Sequence, residues 1–360
     1  MVINHAKNSC IEDKSFLYRN LIYMLSKKNL FRCLIIPVFL CLITQVNAVT
    51  NPDIEIFNKS APVFPHMLFT DTVNNWRRSE NSRPYWVNTE DEIEIFNKMT
   101  SYQVSLLLNY DVLAYYGHPA SRNMGILGRH SVEELDRMLT TLADEYEAVS
   151  GGRKIQKAFY LIFGTVWPAG EIGIINHNLL MRYIEYGMQN DILIFIDHQI
   201  GRYDPIDSLR RMFPYLHYPN VHLALDPEWR TARPMEELGH LTAAELNLAQ
   251  QLIENYLIEN NLPGERMLVI HQFNSVMIRN RQDVRTNFDR VRFIHCMDGI
   301  GTPNMKRNTY AFNAQALNMP LKSFKLFYNL GIPGAGFDNP LMTPQEVYAL
   351  NPRPFVIMYQ

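Results

Sequence analysis

Cysteine is almost missing from the body of this chain. Three of its four cysteines (Cys10, Cys33 and Cys41) fall within the first 48 residues, which leaves Cys296 alone in the rest. A chain that lost that segment on export would have no internal disulfide and would depend on its core for stability. Basic excess is missing too. Over 360 residues there are 34 Lys and Arg against 36 Asp and Glu, and beyond residue 48 the balance is 28 against 34, a net of −6. Phosphate binding needs a basic face, so nucleic acid is not an expected partner. The apolar run Cys33 to Ile43 is short of the roughly 20 residues of a membrane helix. No His-x-His or His-x-x-x-His pair occurs, so nothing marks a strong zinc site, and no metal or other cofactor is expected.

The first 48 residues carry a targeting pattern. Lys27, Lys28 and Arg32 precede the apolar run, and Val46-Asn47-Ala48 places small residues before a cleavage point. This describes a secretory signal peptide over 1–48, cut after Ala48, and implies a periplasmic or secreted protein with no stable membrane span after cleavage. Counted from Met24 the signal has ordinary proportions, so residues 1–23 can be an over-called start. Residues 49–104 read as an irregular lead-in rich in Pro, Asn and Ser, closing with a helix near 90–105 that packs on the next unit.

From 105 to 360 the chain alternates. Apolar, strand-like runs occur at 105–116, 158–164, 192–197, 221–225, 267–271, 291–295, 324–328 and 355–359. Helical patterns lie between them, at about 131–149, 176–190, 205–213, 242–260, 274–286, 304–317 and 343–350. Ser131-Val-Glu-Glu134 and Thr242-Ala-Ala-Glu245 have the form of capping boxes, and Thr343-Pro-Gln-Glu346 adds a proline at the first helical position. Strands alternating with helices imply right-handed βαβ units. Eight of them predict an α/β fold, a closed (β/α)8 TIM barrel that ends at strand eight without its usual final helix. An open doubly wound sheet would want a glycine-rich turn after strand one, where Gly117-His-Pro stands instead.

Chemistry in such barrels is built at the C-terminal strand ends. Reading those ends gives Tyr116 and His118, Trp167, Asp197 and Gln199, then Asp226, Glu228 and Trp229. After them come His271 and Gln272, His295 and Asp298, and finally Tyr359. Asp226 and Glu228 are the sharpest pair: alternation along a strand sends both to one side, and crowded carboxyls raise one pKa, as acid–base catalysis requires. Against that stand structural roles, Asp226 capping the next turn and Glu228 pairing with Arg230 or Arg233. Asp197 and Gln199 repeat the spacing one strand earlier, with pairing of Asp197 to Arg202 as the alternative. Trp167, Trp229 and the tyrosines have the form of platforms for sugar rings, or of ordinary rim packing.

The blocks Tyr115-Tyr-Gly-His-Pro, Met124-Gly-Ile-Leu-Gly, Leu225-Asp-Pro-Glu-Trp, Leu268-Val-Ile-His-Gln-Phe, Asp298-Gly-Ile-Gly-Thr-Pro and Phe324-Lys-Leu-Phe-Tyr resemble uncharacterised exported bacterial proteins and lipoproteins. That resemblance, from about residue 110 onward, implies the fold and export. Leu225-Asp-Pro-Glu also resembles the Asp-x-Glu core of chitinase-type glycosidases, whose upstream Asp-Gly-x-Asp is not present. By that likeness Glu228 is the proton donor and Asp226 its partner. The resulting expectation is an exported glycosidase-like hydrolase acting on carbohydrate or another extracellular substrate. Asp197, Gln199, Trp229, Gln272, Asp298, His118, His271, Trp167, Tyr116 and Tyr359 would contact that substrate. The alternatives are a metal-dependent phosphodiester or ester hydrolase using His118, Asp226, Glu228 and His271, and a non-catalytic carbohydrate-binding barrel.

Overall fold

The computed structural model describes residues 105–360, together with Glu90 and the backbone of Ile54–Ile56. The expected signal segment over 1–48, most of the lead-in and the 90–105 helix lie outside the described residues.

Eight strands close into a barrel: β1 (Tyr110–Gly117), β2 (Lys154–Val166), β3 (Leu193–His198), β4 (Val221–Leu225), β5 (Arg266–His271), β6 (Val291–Met297), β7 (Lys322–Leu326) and β8 (Val356–Tyr359). Each pairs in parallel with its sequence neighbours, and β8 pairs with β1 (Val356 opposite Val112, Tyr359 opposite Tyr115) to complete the circle. Among the described residues the helices are α1 (Val132–Glu147), α2 (His177–Gln189), α3 (Pro205–Arg210), α4 (Ala243–Glu259), α5 (Pro303–Ala314) and α6 (Pro344–Tyr348). None is long and apolar enough to cross a membrane. The (β/α)8 reading therefore holds.

Local chemistry explains most of the boundaries. Thr242 and Thr343 form reciprocal capping boxes with Glu245 and Glu346. Ser131 accepts from Glu134 N, but the Glu134 carboxylate turns to His130 instead, at 3.0 Å. A helix expected at 274–286 is not formed. That segment makes two 3-10 turns, Ser275–Met277 and Arg281–Asp283, around a two-residue strand, Ile278–Arg279, that pairs with Leu241–Thr242. Its backbone is satisfied from outside: Asn318 Nδ2 donates to the carbonyls of Arg281 and Val284, and Asn247 Oδ1 accepts from Arg285 N. Asn280, with φ of 55°, breaks any helix there. The first strand run also shortens, because Leu106–Leu108 is a 3-10 turn before β1.

Alternation along the strands divides the side chains into two sets. Val112 and Ala114, Ala158, Leu193 and Phe195, Ala224, Met267 and Val269, Ile294 and Cys296, and Val356 and Met358 fill the barrel. Leu113, Phe159, Ile194 and Ile196, Leu223, Leu268 and Ile270, Phe293, Phe324 and Ile357 face the helix layer. The apolar filling ends abruptly one step from the C-terminal rim, where polar side chains take over.

The loop after β1 folds back on the strand end. His118 N donates to Met124 O (2.8 Å) and Ile126 N to Tyr116 O (3.1 Å), with Gly117 bridging Gly125. Gly125 has φ of +83°, and a Cβ there would stand 2.8 Å from Gly117 Cα. Gly125→Ala should therefore destabilise by on the order of 2 kcal/mol or more. Gly151→Ala, at a positive φ but in open space, should cost only about 1 kcal/mol. Denaturant midpoints of the two variants check the ordering, and equal losses would contradict it.

Candidate active site

Five strands each deliver one polar or charged side chain from the inward set to the barrel's C-terminal end: Tyr116 from β1, Tyr160 from β2, Asp197 from β3, His271 from β5 and Lys325 from β7. Asp226 and Asp298 join them one residue past the ends of β4 and β6. Asp197 and His271 are fully buried, Asp226 is 2% exposed, and Lys325 and Asp298 are nearly as enclosed.

The contacts form one connected cluster. The Tyr116 hydroxyl donates to Asp197 Oδ2 at 2.9 Å. His271 lies between acids, with Nδ1 3.1 Å from Asp298 Oδ2, and Nε2 2.8 Å from the Tyr160 hydroxyl and 3.7 Å from Asp197 Oδ2. Lys325 Nζ sits 3.6 Å above the centre of the Tyr116 ring. Beneath the rim, Lys306 Nζ donates to the carbonyls of Gly299 (2.8 Å) and Lys325 (2.7 Å) and pairs with Asp338 at 2.9 Å. Asp338 in turn accepts from the backbone N–H of Gly301 and Phe327. This buried clamp fixes the ends of β6 and β7, and so the origins of Asp298 and Lys325.

Glu228 arrives differently. β4 ends at Leu225, and Pro227–Trp229 makes a 3-10 turn whose Glu228 carbonyl accepts from Gly239 N at 2.8 Å. Asp226 precedes that turn without capping it. Arg230 pairs with Glu245, Arg233 with Glu237, and Arg202 with Glu171. The structural roles available to Asp226, Glu228 and Asp197 are thus taken by other residues. Of the four acids only Glu228 is partly open to solvent; Asp197, Asp226 and Asp298 are buried.

Charge in this enclosed space shifts its groups. Burial raises the Asp226 carboxyl to about 7, with the neighbouring charges of Asp197 and Asp298 adding to the effect and His271 opposing it. Burial, with Asp226 and Asp298 nearby, holds Glu228 well above the ordinary carboxylate range. Burial also raises Asp197, against the pull of His271, Lys325 and the Tyr116 hydroxyl. For His271 burial would strip the proton. The Asp197 charge and the Asp298 hydrogen bond outweigh it and lift the imidazole well above its usual value.

The sequence-predicted residues divide cleanly. Asp197, Asp226, Glu228, His271, Asp298 and Tyr116 come together. Several others do not, and for Gln272 and Tyr359 the reason is parity. Gln272 follows the inward His271 and faces out: its Oε1 lies 2.8 Å from His295 Nε2, while Lys322 Nζ lies 3.1 Å from His295 Nδ1. Gln272 and His295 therefore belong to a structural clamp beneath α5, and His295 is no candidate ligand. Tyr359 shares the outward parity of Ile357 and meets the Tyr146 hydroxyl at 2.8 Å, between β8 and α1. Gln199 Oε1 accepts from Val166 N at 2.8 Å and tacks down the end of β2. Trp229 is buried in the outer apolar core and offers no open platform. His118 Nδ1 accepts from Ala120 N, and burial lowers the imidazole to about 4, as expected for a ring that feels no nearby acid. Trp167 stays at the rim, partly exposed. Tyr160 and Lys325 were not singled out by sequence. Lys325 carried a usable signal: a lysine between Phe324 and Leu326 in a buried strand needs a partner inside.

No family model and no curated protein matches this chain. Among solved structures it is similar to oxaloacetate acetylhydrolase bound to its product oxalate (10% identity, TM-score 0.39, 75% of this chain and 80% of that one). It is also similar to the GH26 domain of an endo-β-mannanase/endo-β-glucanase from Prevotella bryantii (7% identity, TM-score 0.36, 76% and 90%). At these scores the likenesses decide nothing about the reaction.

Asp226 and its neighbours offer one more possibility on geometry alone. One ligand atom each from Asp226, His271 and Asp298 lie within 4.8 Å of one another, close enough to share a cation.

Two outcomes follow from these placements. Because the folded carboxyl of Asp226 titrates near 7 rather than near 3.8, the folded state loses stability as pH rises from about 4 through 7. Asp226→Asn escapes that loss. In chelator-containing buffer it should be more stable than wild type at pH 8 by on the order of 2 kcal/mol, with the gain gone at pH 4. A stability difference that does not change between those pH values would contradict the assignment. Gln272→Ala should lower the melting temperature by several degrees while leaving substrate KM unchanged, whereas a substrate-binding Gln272 would raise KM.

Proposed function

We propose that the protein is a glycosidase-like hydrolase working by general acid–base chemistry at the barrel mouth, with carbohydrate as the substrate class. Export to the periplasm or beyond, and an extracellular substrate, belong to the same proposal. The observation that carries it is the position of Glu228. It is the least buried member of the carboxylate cluster, has no ion pair among the described residues, and is biased toward its protonated form by desolvation and by Asp226 and Asp298.

A group so placed can meet a substrate entering from solvent and hand its proton to a departing oxygen. In this reading Asp226 stabilises the positive charge that develops at the reacting centre, and the pair divides the two roles that glycoside cleavage needs. Asp197 is held by Tyr116 and His271 and serves to orient the imidazole rather than to touch substrate. Lys325 balances part of the charge from the opposite wall.

The test is a panel of polysaccharides and aryl glycosides with wild type and Glu228→Gln. The variant should lose about 10²- to 10⁴-fold in kcat on unactivated substrates. On dinitrophenyl glycosides, whose leaving group needs no proton, it should lose far less. A variant as active as wild type would remove Glu228 from the mechanism. Cleavage of aryl phosphodiesters, with every sugar substrate untouched, would replace this reading with the metal-dependent phosphodiesterase or esterase alternative.

A further inference from the structure

The unpartnered buried oxygens of the mouth need a physical account. No hydrogen bond or ion pair among the described residues reaches the Asp226 carboxylate, although the residue is only 2% exposed, and its buried Oδ1 is without a partner. Asp298 is 7% exposed and its Oδ1 is equally unpartnered, while its Oδ2 is 3.1 Å from His271 Nδ1. A buried carboxylate oxygen without a partner calls for an explanation, and a bound cation is one.

The surroundings of His271 complete the pattern. A separation of 3.1 Å between Nδ1 and Asp298 Oδ2 suits a hydrogen bond. It is also about the spacing of two adjacent ligands on one ion with bonds near 2.1 Å. On the far side of the ring, Nε2 is met by the Tyr160 hydroxyl at 2.8 Å and backed by Asp197 at 3.7 Å, with Tyr116 holding Asp197 in turn. A ligating histidine is regularly oriented in this way, its second ring nitrogen donating to a hydroxyl or carboxylate.

We propose that Asp226, Asp298 and His271 Nδ1 form a binding site for one divalent transition cation, with Tyr160 and Asp197 as the groups that orient the imidazole. One imidazole and two carboxylates suit Mn2+ or Zn2+ better than Ca2+, which takes six to eight oxygen ligands. Three protein ligands would leave at least one coordination position for a further ligand. The site stands whatever reaction the mouth performs, since binding is read directly. If the hydrolase reading also holds, Glu228 remains the proton donor.

The test uses the whole protein, stripped with chelator and dialysed, titrated calorimetrically with Mn2+ and with Zn2+. One equivalent should bind, and bound Mn2+ should show nitrogen couplings from one imidazole in pulsed electron paramagnetic resonance. Asp298→Asn should weaken binding at least 10-fold, and Asp226→Asn likewise. Glu228→Gln should bind as wild type does, even if its hydrolytic activity is lost. Wild-type protein that binds neither ion at one equivalent, or binds Mn2+ without a nitrogen coupling, would overturn the site. So would unchanged affinity in both Asn variants. None of these outcomes depends on whether any sugar is cleaved.

Discussion

A closed barrel cannot choose where its inward side chains go. Each strand exposes every second residue to the interior, and the last such residues of neighbouring strands must meet above the apolar filling. Here that geometry forces Tyr116, Asp197, His271 and Lys325, with Asp226 and Asp298 just beyond their strands, into one small buried layer. Charges in such a space interact strongly because little water screens them. The raised carboxyls of Asp226 and Glu228 and the raised imidazole of His271 have this common cause. The rest of the structure is arranged so that this layer can be tolerated.

Toleration is local and costly. The Lys306–Asp338 clamp, itself buried, holds the ends of β6 and β7 by four backbone contacts, so the rim cannot relax outward to let water in. Gln199 does the same for the end of β2, and Gly239 pins the Glu228 carbonyl. Lys322, His295 and Gln272 form a second set of buried polar contacts on the outside of the barrel, where they join β5, β6 and β7 to α5. Polar groups in these positions stabilise little by themselves, since burying them costs about what their hydrogen bonds return. What they supply is a fixed geometry for the acids above.

The fold was legible because its signals were redundant. Eight apolar runs alternated with helical patterns, and the boxes at Thr242 and Thr343 marked helix starts that the structure shows. The segment at 274–286 was misread because Asn247 and Asn318, distant in sequence, supply the hydrogen bonds that a helix would have made for itself. Site residues were legible in part. Gln272 and Tyr359 stood at strand ends, yet their parity with Ile270 and Ile357 placed them on the outer face. Counting by twos from the strand bodies would have excluded both. The partners of His271 were not legible, since Tyr160 and Asp298 reach it from strands 111 and 27 residues away in sequence.

Asp226 and Glu228 lie near each other, but by a different geometry from the one expected. Strand alternation predicted that both would leave on one side, but β4 stops at Leu225 and the Glu228 side chain is carried by a 3-10 turn. Pro227 explains the change: without an N–H it cannot continue a parallel ladder, and its fixed φ suits the first position of a tight turn. The turn has a consequence that a continued strand would not have had. On a continued strand Glu228 would point into the barrel axis above Asp226, as buried as its neighbour. On the turn it stays close enough to feel the charge of Asp226 and Asp298 while being less buried than Asp226. Asp-Pro-Glu thus separates one acid that is sealed in from one that is less buried. Under the proposed hydrolase reading, that division of exposure is what lets a paired acid do two different jobs.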